Sequence, residues 1–314
     1  MFGNILPYAS ENVQIFMNNN YSPTTMFGGY GTATSDTYIW NKPNGIKMVN
    51  IFCVGGGGGG GLGATPDFTA RGGGGGGGTG AIFTVTYPAK ILPNTLLVYP
   101  SPGGIPTNIR NGSSSGNLNT GVYFDDDATL VALAKTGGNG GDAVGTTAGA
   151  GGAGGQSTTL GTDIEFARFG IFRSQIGLAG GTGGAGAAAN VGGGFTVLAT
   201  FCLTGGCGGG SVTSGSAPAN GGSILAHASG LYPGVAGGLS AGVVNGNDGY
   251  TMFAPFVSTG GSGGAGGPTA QDGGNGGNGG IGSGGGGSGG GRSSSPNYAW
   301  GGNGGPGMVI ISCW

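Results

Sequence analysis

The sequence predicts an all-β and irregular protein, in which a short β-strand leading region is followed by a bundle of polyglycine-II type extended helices, with almost no α-helix. Three observations predict it. Glycine supplies 87 of the 314 residues. Two runs of seven consecutive glycines, residues 55–61 and 72–78, each lie beside an apolar segment, Ile51-Phe52-Cys53-Val54 before the first and Ala81-Ile82-Phe83-Thr84-Val85 after the second. Charged residues are 6% and hydrophobic ones 36%, the reverse of the balance that keeps a chain disordered.

Seven glycines alone would make a flexible linker, because glycine loses more conformational freedom on folding than any other residue. Two such linkers bracketed by strand-like segments make little sense. An extended left-handed helix with three residues per turn makes no internal hydrogen bonds, so its backbone groups must find partners elsewhere. Helices without side chains can approach closely enough to bond to one another laterally. Collagen is excluded, since an unbroken glycine run leaves no X and Y positions for a strict triplet and proline numbers 15.

In chain order, residues 1–35 are of mixed composition, with Ile5, Leu6, Val13, Ile15, Phe16 and Met17 among Asn and Ser, and read as a docking segment or a poorly ordered terminus. Residues 1–20 hold no Lys or Arg and carry Glu11, so they do not read as a signal peptide. Residues 36–136 form the β-rich part. Two short strands, 37–40 and 46–54, are joined by the turn Pro43-Asn44-Gly45. A second pair, 82–87 and 95–99, is separated by Pro88 and Pro93. Residues 122–124 and 129–134 complete this part around Asp125-Asp126-Asp127, which lacks the spaced ligands of a calcium loop and reads as a solvated turn. No metal or cofactor is expected.

Residues 137–314 form the polyglycine bundle with variable loops and a closing strand. In 273–281, Gly-Gly-Asn-Gly-Gly-Asn-Gly-Gly-Ile, every third residue falls on one face of a three-fold helix. The last seven residues are apolar nearly throughout and are predicted to return and pair with the strand around 48–54. Between glycine motifs lie aromatic segments, from which Tyr232, Tyr250, Phe253, Phe256, Tyr298 and Trp300 are the candidate contact residues. Rings on loops held by a rigid scaffold give contact area at low entropic cost, although the same rings could simply cap the bundle.

Catalysis is not expected. No Lys follows a glycine, so there is no phosphate-binding Gly-Lys-Ser/Thr loop, and a Gly-x-Gly-x-x-Gly match arises by chance in so glycine-rich a chain. His227 is the sole histidine and has no carboxylate nearby in sequence. A net charge of −2 leaves no basic surface for nucleic acid. Cys53, Cys202, Cys207 and Cys313 make no zinc pattern and read as small buried hydrophobes or as disulfides. No apolar stretch reaches the ~20 residues of a membrane-spanning helix.

Tyr38-Ile39-Trp40-Asn41-Lys42-Pro43, the apolar run into polyglycine, the second polyglycine block, Leu92-Pro93-Asn94-Thr95-Leu96 and the closing Gly304-Gly305-Pro306-Gly307-Met308-Val309-Ile310-Ile311 resemble, in that order, the glycine-rich domain of tail fibres and related surface proteins of tailed bacteriophages. The likeness covers residues 36–314. The later half is similar to distal adhesins of long tail fibres, in which polyglycine helices form a layered bundle whose variable loops bind host receptors. The resemblance implies a non-enzymatic virion protein, exposed on the particle surface. Its implied partners are other virion proteins and a host surface glycan or outer-membrane protein, with a homotrimer as the expected assembly. A capsid-decorating or head-fibre protein is the alternative.

Overall fold

The computed structural model describes residues 12–18, 36–64, 70–106, 118–125, 129–156, 166–196, 202–226, 232–242, 244–253, 256–267, 272–291 and 299–314. Its strands are β1 (Val13–Met17), β2 (Tyr38–Asn41), β3 (Met48–Val54), β4 (Ile82–Pro88), β5 (Thr95–Tyr99), β6 (Thr120–Phe124) and β7 (Leu130–Ala134). Further along come β8 (Ile171–Gln175), β9 (Phe195–Thr196), β10 (Ile224–Leu225), β11 (Thr251–Phe253), β12 (Phe256–Ser258) and β13 (Met308–Cys313). Among the described residues, strands account for 28% and 3-10 turns for 3%, with no helix of seven residues or more. The all-β, irregular class expected from composition is the class observed.

Two antiparallel sheets, ordered β1-β13-β3-β4-β8 and β2-β5-β6-β7, enclose the main hydrophobic core. Alternation decides which side chains enter it. Val49, Ile51 and Cys53 of β3, Phe83, Val85 and Tyr87 of β4, and Val309 and Ile311 of β13 meet Trp40, Leu96, Val98, Val122 and Ala132 from the other sheet. Within it, the Tyr87 hydroxyl donates to the Val131 carbonyl at 2.8 Å, so this buried polar tip is satisfied. The expected pairing of the closing strand is found, with β13 antiparallel to β3 and Ile310 opposite Phe52. All four cysteines are free thiols, and Cys53, Cys207 and Cys313 are buried. Burial raises the Cys53 thiol far above its ordinary range and pushes Cys207 up to about 12.

The strand pairs expected from local turns differ. Pro43-Asn44-Gly45 does reverse the chain, with Gly45 at φ +81°, yet β2 and β3 lie in different sheets, as do β4 and β5. Each turn sets a reversal, whereas the partner is set by which face the flanking residues bury. β6 and β7 are a hairpin as expected, with a bulge at Val122/Tyr123; Asp126 and Asp127 lie outside the described residues. All three expected segments contribute strands to the first sheet. β1, from residues 1–35, is an edge strand of the first sheet, and β8 and β13 come from the part beyond residue 136.

Beyond the sheets the chain becomes a lattice. Residues 72–81 run through its middle, and consecutive N–H groups there point in three directions. Gly72, Gly75, Gly78 and Ala81 donate to Gly145, Gly141, Gly138 and Lys135; Gly73, Gly76 and Thr79 donate to Gly184, Gly181 and Leu178; Gly74, Gly77 and Gly80 donate to Ser288, Gly285 and Gly282, all at 2.8 to 2.9 Å. On the sides between, the same segment accepts from Gly58 and Gly61, from Gly149 and Gly152, and from Gly206 and Gly209. Six neighbours therefore surround it, three receiving and three giving. The three-residue period is that of the polyglycine helix, and the runs keep φ outside the positive region, where only Gly45, Gly145 and Gly282 among the described glycines fall.

The lattice grows out of the first sheet without a break in register. Val54 faces Ile82 at the end of the β3–β4 ladder, and Gly55, Gly58 and Gly61 continue the pairing to Ala81, Gly78 and Gly75. Met308 faces Val54, followed by Gly57 to Gly305 and Gly60 to Gly302. Ile82 faces Gln175, followed by Thr79 to Leu178, Gly76 to Gly181 and Gly73 to Gly184. The rise per residue changes little, from about 3.4 Å in a strand to about 3.1 Å in the helix, so the pairing survives the change of conformation. What changes is bonding, from two coplanar directions to three.

Candidate functional site

The lattice spends its backbone groups internally, so the groups left for any ligand are those it turns outward. On one flank three segments run side by side in the same direction, residues 244–251, 273–281 and 299–306. Gly246 and Gly249 donate to the carbonyls of Asn275 and Asn278, and Gly276 and Gly279 donate to those of Trp300 and Asn303. Residues of the same phase stand in matching positions: Asn245, Asn275 and Trp300; Asp248, Asn278 and Asn303; Thr251, Ile281 and the buried Pro306. Successive positions along a segment are one helix turn, about 9 Å, apart.

Side chains stitch these rows together. The Asn275 N–H donates to Asn245 Oδ1 at 2.9 Å, Asn278 N–H to Asp248 Oδ1 at 2.7 Å, and Ile281 N–H to Thr251 Oγ1 at 2.9 Å. One row on, Trp300 N–H donates to Asn275 Oδ1 at 2.7 Å and Asn303 N–H to Asn278 Oδ1 at 2.9 Å. The ladder stops where its chemistry runs out, since Ile281 has no oxygen to offer and Pro306 no N–H to give. The same device recurs where Asn139 Oδ1 accepts from Gly59 and Asp142 Oδ1 from Leu62. Replacing Asn278 by alanine is expected to lower stability by about 1 kcal/mol, whereas Asn278→Asp, which keeps the acceptor, should leave the thermal midpoint within a few degrees; calorimetry of the two variants checks this.

The five described aromatic candidates do not form one surface. Phe253 and Phe256, on the β11–β12 hairpin, cover the outer face of the first sheet, and the Phe256 ring meets Phe52 edge-on with centroids 5.9 Å apart. They join a cluster around Val54, Leu203 and Met308. Tyr232 and Tyr250 pack on Cys207, Ile224, Val235 and Val257, and the Tyr250 hydroxyl donates to the Pro233 carbonyl at 2.8 Å. Burial and then the neighbouring Tyr232 raise the Tyr250 phenol above its usual range. These four lie at the end of the lattice nearest the strands. Trp300 lies towards the other end. Gly302 is bonded to Gly60, six residues beyond Val54, which sets Trp300 roughly 20 Å of helix rise away. Tyr298 lies outside the described residues, as does His227.

The structure thus brings Asn245, Asp248 and Trp300 onto one flank, with the 273–281 segment between them. Sequence reasoning missed the polar members. The signal was the shared phase of Asn275-Gly276-Gly277-Asn278 and Trp300-Gly301-Gly302-Asn303. A second exposed surface is the edge of the first sheet, where Phe169, Ile171 and Ile176 stand in solvent, Ile171 at 81%. At the far end of the lattice, turns at 144–147, 186–190, 213–217 and 239–242 expose Val144 and Leu239. Among the described residues no group of three or more His, Cys, Asp or Glu is placed to hold a metal ion, and no helix is long and apolar enough to cross a membrane. No family model matches the chain, and no curated protein aligns with it.

Proposed function

We propose that this chain is a structural virion protein, a phage tail fibre or fibre-tip adhesin, that attaches to a host cell surface through side chains carried between its glycine segments and performs no catalysis. The observation that carries this reading is the consumption of the lattice backbone in its own lateral bonding. A body whose N–H and C=O groups are already used has recognition confined to outward side chains and turns, held without flexibility, which suits a protein whose task is presentation. The order of motifs along residues 36–314 supports the same reading.

Labelled protein incubated with intact host cells is expected to bind saturably and to compete with the phage for adsorption, while binding to capsids stripped of fibres stays at background. Saturable binding to stripped capsids without binding to cells would replace this reading with that of a head-decorating protein.

A further inference from the structure

The flank formed by residues 244–251, 273–281 and 299–306 has a chemistry beyond its role in closing the lattice. The ladder uses only the side-chain oxygens of Asn245, Asn275 and Asn278. Among the described residues, their amide N–H groups and the side chain of Asn303 have no hydrogen-bond partner. Asn245 and Asp248 are exposed, and Asn275, Asn278, Asn303 and Trp300 half-exposed. The flank therefore shows solvent a grid of uncharged donors, one carboxylate with an uncommitted oxygen at Asp248, and an indole at one edge. None of its residues is Lys or Arg.

A ligand matched to this grid has hydroxyl or carbonyl acceptors repeating along its length, a face on which an indole can stack, and no negative charge. We propose that the flank binds an extended neutral polysaccharide lengthwise, with acceptors of successive sugar units on the amides of Asn275 and Asn278, a hydroxyl donated to Asp248, and one ring against Trp300. The interval of about 9 Å between rungs is close to two sugar units of an extended chain, so one face of the polymer meets one rung after another. This deepens the adhesin reading and rests on it for the biological source of the glycan.

The test titrates the full chain calorimetrically with neutral hexasaccharides, one of hexose and one of N-acetylhexosamine, and with a uronate hexasaccharide. Two variants accompany it. N275D/N278D keeps the oxygens that accept from Trp300 and Asn303, so the ladder persists, but replaces two donors by charge; W300A removes the stacking ring. Wild-type protein should bind at least one neutral hexasaccharide and not the uronate, and each variant should bind roughly tenfold or more weakly, the loss expected for one or two neutral hydrogen bonds or a stacked ring. N275D/N278D should show an unchanged thermal midpoint. Failure of wild type to bind either neutral ligand, preference for the uronate, or wild-type affinity in folded N275D/N278D would overturn the proposal. Cell attachment measured in parallel separates the two claims. If N275D/N278D attaches as well as wild type, the flank is not the receptor site although the adhesin reading stands; if wild type binds the sugar but not cells, the adhesin reading fails and the flank remains a glycan site.

Discussion

Gly77→Ala is expected to prevent assembly of the lattice, at a cost above about 3 kcal/mol for a single methyl group. A Cβ on Gly77 would overlap the backbone carbonyl of Gly58. Neither partner can step aside. Gly77 donates to Gly285 and accepts from Gly206, while Gly58 donates to Gly78 and accepts from Gly285, so relief at one contact breaks a hydrogen bond at another. Gly242 is the control, since a Cβ there meets nothing within 4 Å. Gly242→Ala should be neutral or stabilising by about 0.4–1 kcal/mol, through loss of freedom in the unfolded chain. Denaturant titration of both variants reads the contrast, and a Gly77→Ala protein with the wild-type midpoint would show that the lattice is looser than its hydrogen bonds require.

Removal of residues 308–314 should leave no soluble folded protein. β13 is an interior strand, bonded to β1 on one side and β3 on the other, so its loss also strands β1. Met308, Val309 and Ile311 are almost fully buried, and at about 1.5–3 kcal/mol for each such side chain their removal approaches the ~5–15 kcal/mol that holds a typical domain folded. The truncated sheet would also expose the edge of β3, an open template for aggregation. Partition into the insoluble fraction on expression checks this; a soluble truncation with a cooperative melt would contradict it.

These two outcomes also mark what a linear sequence discloses. The return of β13 was legible because an apolar run after Pro306-Gly307 needs burial on both faces, and it finds the core on one side and the β11–β12 hairpin on the other. The polyglycine lattice was legible because runs of seven glycines have no other ordered use beside strands. The allocation of β2 and β5 to a different sheet from β3 and β4 was not, because a turn such as Pro43-Asn44-Gly45 fixes local geometry and carries no information about partners far along the chain. That the described aromatic candidates are spread over separate clusters was not legible for a related reason. Phe253 and Phe256 stand in a short apolar run, Met252 to Val257, with nothing in it to show that Phe52, some two hundred residues earlier, needs covering. The polar ladder was half legible: its three-residue phase is written in 273–281, but the side-by-side placement of 244–251 and 299–306 exists only in the folded lattice.

The unbroken register between ladder and lattice has a consequence for how such a chain can change over generations. In a sheet, one inserted residue reverses the facing of everything after it; in the lattice, one inserted residue rotates every later donor by a third of a turn, onto the wrong neighbour. A segment such as 72–81, whose ten residues serve six neighbours, can therefore be lengthened only by whole turns, and only if the segments bonded to it lengthen too. The turns that close the far end obey no such rule. Heritable variation in length is thereby quantised and coupled in the frame but free at the rim, so lineages can diversify the rim quickly while the frame stays commensurate with the strands from which it grows.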